Sequence, residues 1–157
     1  MVITKIEAQK KKGRYNIYLN DAFAFGVDEA TVVKYALFKG TELTKVQIKE
    51  IQQDDCIQQA YQKALHFLNF KLRSTKEVYE KLEKLEFDDD IINEVLGKLH
   101  EQNFINDTFY AESYLNQAKF VTFKGPKSIV FDLQKKGISD KVIQTVLEEI
   151  GRAHVWT

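Results

Sequence analysis

From Val2 to Val27 the chain alternates between two faces. Val2, Thr4, Ile6 and Ala8 interleave with Ile3, Lys5, Glu7 and Gln9, the period-two signature of a strand. After a polar turn around Lys10 to Gly13, Tyr15, Ile17 and Leu19 share one face. Asn20-Asp21 then supplies two residues tolerant of positive φ, as a tight hairpin requires. Phe23, Phe25 and Val27 resume the alternation on a common face. These segments predict a small antiparallel meander, too small to be stable alone, which must pack on something helical.

Helical spacing follows from Asp28, the expected N-cap of a short helix through Val32, Val33 and Leu37 that Lys39-Gly40 ends. Thr44 and Gln47 form a capping box, hydroxyl and amide each satisfying an orphan N–H. Val46, Ile48, Ile51, Ile57, Tyr61, Ala64, Leu65 and Leu68 then carry an apolar stripe. It predicts one long helix, or two nearly collinear ones, to about Asn69. A second box, Ser74 with Glu77, opens a helix with Val78, Leu82 and Leu85 inside, ending at Phe87. Asp88 or Asp89 caps the next, which buries Ile91, Ile92, Val95, Leu96 and Leu99. Phe104-Ile105 is a break, and a helix capped near Asn106 runs through Phe109, Ala111, Tyr114, Leu115 and Ala118. Gly125-Pro126 begins another, with Pro at the first position where its missing N–H is harmless. Lys136-Gly137 closes it, and Ser139 caps a last helix with Val142, Ile143, Val146 and Leu147 inside.

Shifting the sequence against itself by 51 residues aligns Ser74–Leu99 with Gly125–Ile150 without a gap. Lys76 meets Lys127, Leu82 meets Leu133, Asp89 meets Asp140 and Val95 meets Val146. Apolar helices alone would reproduce the heptad-like matches, but not helix starts, turn and acidic cap together. The chain therefore reads as mainly α: a small N-terminal antiparallel β-meander followed by tandem three-helix repeats. Its divisions are 1–43 (meander and short helix), 44–104 (first repeat with a long leading helix), 105–150 (second repeat) and 151–157. Stacked helical units favour partner binding over catalysis.

Composition narrows the classes further. No stretch approaches the roughly 18–20 apolar residues of a membrane span, and MVITKIEAQ is no signal peptide. Cys56 is the only cysteine, which leaves no disulfide framework and fits a reducing cytoplasm. The 23 basic and 23 acidic residues cancel, weakening any reading of the whole molecule as a polyanion binder. Locally, Lys5, Lys10, Lys11, Lys12 and Arg14 crowd one end, while Glu86, Asp88, Asp89 and Asp90 form an acidic spot. Solvated turns or helix ends account for both.

No catalytic set emerges. Cys56 and His66, ten residues apart on one helix, are separated by about 15 Å. His66 and His100 would need two further metal donors that no spacing offers. Asp88-Asp89-Asp90 lacks the alternation and glycine of a calcium loop and reads as a helix cap. Lys124-Gly125-Pro126-Lys127-Ser128 lacks the upstream glycine and strand of a phosphate loop. No cofactor is expected.

Several signatures resemble the RecX family of bacterial recombination regulators. The first is Ala64-Leu65-His66-Phe67-Leu68 followed by Arg73-Ser74, Glu77-Val78 and Leu82. The second is Phe104-Ile105-Asn106-Asp107 with Phe109, Ala111 and Tyr114. Lys124-Gly125-Pro126, Ile129, Leu133 and Lys136-Gly137-Ile138 complete it, and Phe23-Ala24-Phe25-Gly26 resembles the extension of longer members. The resemblance covers roughly residues 1 to 150. It implies a non-enzymatic, cytoplasmic, monomeric modulator that binds the RecA filament on single-stranded DNA. Such a protein inhibits filament assembly, ATP hydrolysis and strand exchange, in the setting of DNA repair and the SOS response. Two departures stand out. Members generally carry three helical repeats, against two here, so a C-terminally truncated member is expected. Ile150 to Thr157 also reads like the translation of a sequencing-library adapter, so 151–157 (GRAHVWT) is expected to be a non-native tail. His154 and Trp156 are set aside with it.

Candidate contacts are exposed polar positions at the starts of the second helices, Lys71, Arg73, Lys124 and Lys127, which recur in both units. The bland reading is that they are solvated cap residues. A different class, a helix-turn-helix-like nucleic-acid-binding module, would use the same cations on phosphates. It predicts binding to naked DNA with a steep salt slope, and weak DNA contact would also assist filament binding.

Overall fold

The computed structural model describes residues 1–120 and 123–153, the last four as backbone only. Two compact units divide it, Met1–Gln59 and Ala60–Thr157.

In the first unit, β1 (Ile3–Ala8), β2 (Arg14–Leu19) and β3 (Ala22–Asp28) pair antiparallel in the order β1-β2-β3. Asn20 and Asp21 both take positive φ, 49° and 66°, as the two-residue hairpin demands. The pairing register slips in two places, between Ile3 and Lys5 of β1 and within β3. Ile17 opposes Phe25 but Tyr18 opposes Phe23, so Ala24 is an extra residue in β3. Such a bulge reverses the side chains beyond it. Phe25 and Val27 are buried, whereas Phe23 is 59% exposed and meets Tyr18 edge-on at 5.9 Å.

Helix α1 (Glu29–Lys34) starts on the Asp28 carboxylate, which accepts from Thr31 N–H at 2.8 Å. It ends before the expected Lys39-Gly40. Ala36 takes φ 50°, and Leu37 N–H turns back to the Val32 carbonyl at 3.0 Å. Val33 is left exposed while Leu37 is buried beyond the helix end. The chain then runs beside β1, Ile3 N–H donating to the Thr41 carbonyl at 2.8 Å. The Thr44–Gln47 box forms in both directions and opens α2 (Lys45–Leu68), a single 24-residue helix. Ile51 joins Ile3, Ile17, Phe25, Val27 and Leu37 in the core, but Val46 is 67% exposed. A buried carboxylate ties this unit together. Asp55 receives both guanidinium nitrogens of Arg14 at 3.1 Å, Asp28 N–H at 3.0 Å and the Gln59 amide at 2.7 Å.

The second unit holds the end of α2 and five further helices: α3 (Thr75–Lys84), α4 (Asp89–Glu101), α5 (Asp107–Phe120), α6 (Pro126–Lys135) and α7 (Asp140–Ala153). Helices α3 and α6 begin and end 51 residues apart, at Thr75 against Pro126 and Lys84 against Lys135. Helices α4 and α7 start at Asp89 and Asp140, the same offset. The Ser74–Glu77 capping box is complete, Pro126 takes the first position of α6, and Asn106 and Ser139 cap as expected. Asp88 precedes α4 without a side-chain cap bond. Asp89 instead accepts the Tyr79 hydroxyl. Ile92, Val95, Val78 and Leu82 are buried in the first repeat, and Ile143, Val146, Ile129 and Leu133 at the equivalent places in the second. Tyr110, rather than the 55%-exposed Phe109, faces inward on α5. Helix α7 continues three residues past Ile150. The rest of the expected tail, 154–157, lies outside the described residues.

Candidate partner-binding surface

The two repeats meet through the C-terminal turn of α6 seated on the first turn of α3. Ser74 Oγ donates to the Lys136 carbonyl at 2.8 Å, and Lys76 Nζ to the Lys135 carbonyl at 3.1 Å. Gly137, at φ 79°, crosses Lys76 so closely that a Cβ there would lie 2.5 Å from Lys76 Cβ. Glu77 is the hub of this contact. Its carboxylate accepts from Ser74 N–H at 3.1 Å and lies 3.6 Å from Lys136 and 3.8 Å from Arg73. Burial alone would raise the Glu77 pKa. The Ser74 N–H, Lys136, the Tyr110 hydroxyl and Arg73 together outweigh that and hold it below the usual value. Burial, and then the same carboxylate, push Tyr110 well above the usual phenol range.

The four candidate cations lie around this framework in different states. Lys71 is exposed in the loop between α2 and α3. It stands at the edge of a groove of about 400 Å³ shared with Leu72, Tyr110, Ser113, Tyr114, Gln117 and Lys136. Arg73 is not an exposed position. Only 17% of its side chain is accessible, because the guanidinium packs 4.0 Å from the Phe67 ring centroid, a cation–π contact. Lys124 is also committed. Its ammonium lies 2.8 Å from Asp132 and 3.4 Å from the Tyr114 hydroxyl, which itself donates to Asp132 at 2.6 Å. The Asp132 bond raises the Lys124 pKa, and the Lys124 bond lowers that of Asp132. Lys127, exposed in the first turn of α6, has no ion pair among the described residues. Lys71 and Lys127 thus present free charge, while Arg73 and Lys124 hold helix starts in place.

The histidines have structural surroundings. His100 reaches the Leu96 carbonyl at 2.8 Å and Thr75 Oγ1 at 3.0 Å. Thr75 in turn donates to Asp107 from both N–H and hydroxyl, linking α3, α4 and α5. His66 stacks edge-on with Phe70. Cys56 is exposed. Among the described residues no group of three His, Cys, Asp or Glu could hold a metal, and no helix is long and apolar enough to cross a membrane.

A β-meander followed by tandem three-helix units defines a helical-repeat protein. Three family models match in sequence: the Regulatory protein RecX N-terminal domain over residues 1–44, the RecX first three-helix domain over 60–99, and the RecX second three-helix domain over 106–147. Regulatory protein RecX of Leuconostoc mesenteroides subsp. mesenteroides is 43% identical over 147 residues, covering 94% of this chain and 55% of that protein. The Listeria monocytogenes serotype 4a protein is 40% identical over 150 residues, covering 95% and 56%. A crystal structure of regulatory protein RecX superposes with a TM-score of 0.77 at 38% identity, over 95% of this chain and 73% of that one. RecX from Lactobacillus salivarius gives 0.58 at 41% identity, over 60% and 61%. The chain belongs to the RecX family of regulatory proteins. It spans about half the length of the curated relatives it matches.

Proposed function

We propose that the protein binds the RecA recombinase filament on single-stranded DNA and inhibits its assembly, ATP hydrolysis and strand exchange. It acts in the cytoplasm as a monomer, without chemistry of its own, in the regulation of recombination, DNA repair and the SOS response. The observation that carries this reading is the 51-residue register between the second and third helices of two three-helix units in a RecX-family chain. A repeated unit offers repeated contacts to a repeated partner, and several modest contacts on one chain gain avidity without a large single hot spot. Lys71 and Lys127 are the contact residues this reading favours among the four cations, with Arg73 and Lys124 acting mainly through the helix starts they hold.

The test adds substoichiometric protein to RecA on single-stranded DNA and follows ATP hydrolysis. Slowing is expected. Hydrolysis unchanged even by the longer relatives would overturn the reading. The competing nucleic-acid-binding reading predicts tight, salt-sensitive binding to naked DNA, which a chain with balanced charge supports poorly.

A further inference from the structure

A notch near the C-terminal turns of α2 and α3 carries chemistry that neither the core nor the repeat register requires. It holds about 260 Å³ and is lined by Lys63, His66, Phe67, Phe70, Lys81 and Leu85. Its apolar groups are open to solvent: Phe70 is 70% exposed and Leu85 40%. The Phe70 ring stands edge-on to His66 at 5.1 Å, and Lys81 lies 5.6 Å from the Phe67 ring centroid. Among the described residues no carboxylate comes within ion-pair distance of Lys63 or Lys81. Two ammonium groups without a carboxylate partner thus flank an open apolar floor, a charge pattern complementary to an acidic segment that carries one apolar side chain.

We infer that this notch docks an acidic segment of a protein partner. One Phe or Leu of that segment sits on Phe67, Phe70 and Leu85, and flanking carboxylates pair with Lys63 and Lys81. The volume suits one large apolar side chain. Single-stranded nucleic acid asks for something else, a cationic groove tracking the backbone beside successive stacking platforms. Here the cations ring a single concavity. The inference does not depend on the filament being the partner, because it specifies only the chemistry of the docked segment.

The probe is a fluorescein-labelled peptide with one Phe flanked on both sides by Asp and Glu, titrated with the full chain and read by anisotropy. Saturable binding is expected, weakening with salt. Phe70→Ser should weaken it roughly tenfold or more, from the apolar area withdrawn, and the pair Lys63→Glu and Lys81→Glu should do so at least as strongly. Leu85→Ser is a second apolar variant, and a thermal melt of each variant verifies the fold. Absence of saturable binding by the unmodified chain would overturn the proposal. So would equal affinity for a peptide with Gly in place of Phe. A third overturning result is an oligothymidylate that displaces the peptide and loses affinity in the same variants.

Discussion

Replacing Gly137 with Ala tests the contact that sets one repeat against the next. Two costs are separable. The first is backbone: Gly137 sits at φ 79°, where a Cβ costs about 1 kcal/mol. Glu86 stands at the equivalent place of the first repeat with φ 69°, so an L-residue can occupy this turn. The second cost is contact. The new methyl would lie 2.5 Å from Lys76 Cβ, 2.7 Å from Cδ and 3.1 Å from Cγ. The Lys76 chain can swing its far atoms away, but Cβ is fixed to α3. Either the methyl is accommodated by overpacking, at about 1–3 kcal/mol, or the turn lifts. Lifting forfeits the bonds from Ser74 and Lys76 to the Lys136 and Lys135 carbonyls, each worth about 1 kcal/mol. The total is about 2–4 kcal/mol. Gly40→Ala is the control. Gly40 has φ 93°, and a methyl there would meet nothing within 4 Å, so the change should cost only about 1 kcal/mol. Urea unfolding followed by assigned amide resonances reads each unit separately. Equal losses for the two alanine variants would refute the contact argument. So would additivity of Gly137→Ala with Lys76→Gly, because removing Lys76 Cβ must relieve the clash.

Three further outcomes follow from the structure. Asp55→Ala should cost the first unit about 3–5 kcal/mol, because it strands the Arg14 guanidinium, itself only 18% exposed, without its partner; a urea midpoint for that unit within error of the parent would contradict this. Glu77 contributes pH-dependent stability. Its folded pKa is lowered from 4.5, so the contribution is full above that value and is lost as the pH falls through the lowered one. The melting temperature of Glu77→Gln should therefore converge on that of the parent in acid and fall below it at neutral pH, and a constant gap would exclude the assignment. Lys71→Glu and Lys127→Glu should weaken inhibition of RecA hydrolysis without shifting the melting temperature, whereas Lys124→Glu should lower the melting temperature too, by setting a second carboxylate beside Asp132.

What the sequence made legible was the start of each helix and the spacing between them. Helix starts are written in local chemistry: Thr44 with Gln47, Ser74 with Glu77, Asn106, Pro126 and Ser139 all act within three residues of themselves. Helix ends were harder, and the reason is physical. Helices α1, α3, α4 and α6 all close on a residue with positive φ, followed by an N–H that turns back to the carbonyl five residues earlier. Only the last uses glycine; the others use Ala36, Glu86 and Asn103. The signal that survives is the apolar residue just past each turn, Leu37, Phe87, Phe104 and Ile138, as expected where such a residue packs back on the last turn. The β3 bulge left no trace either, because Phe23-Ala24-Phe25 is a perfect alternation and only pairing with β2 shows the slip. Asp55 had a signal that could have been read: a carboxylate four residues after Ile51, inside the apolar stripe of a long helix, needs a buried partner.

The candidate cations were the least legible, and the register explains why. Arg73 and Lys124 are equivalent by the 51-residue offset, as are Lys81 and Asp132, and Phe67 and Ala118. In the first repeat Arg73 and Lys81 both lie over the Phe67 ring, at 4.0 and 5.6 Å. In the second the aromatic is replaced by a buried alanine, and the second cation by an aspartate that pairs with Lys124 at 2.8 Å. One backbone position is thus held by cation–π contact in one repeat and by an ion pair in the other, while the core positions Val78 and Leu82 and their equivalents Ile129 and Leu133 are buried in both. The consequence is electrostatic. Lys81 keeps a charge free for a partner, whereas the charge at Lys124 is spent inside its own repeat. Contact residues therefore cannot be carried from one repeat to the other by register. Charge reversal at Lys81 removes a positive group and leaves every described ion pair standing; reversal at Lys124 removes one and breaks a pair. The first forfeits only the longer cation–π contact to Phe67, so a loss of partner affinity without a loss of stability is the result that distinguishes a reading surface from a structural one.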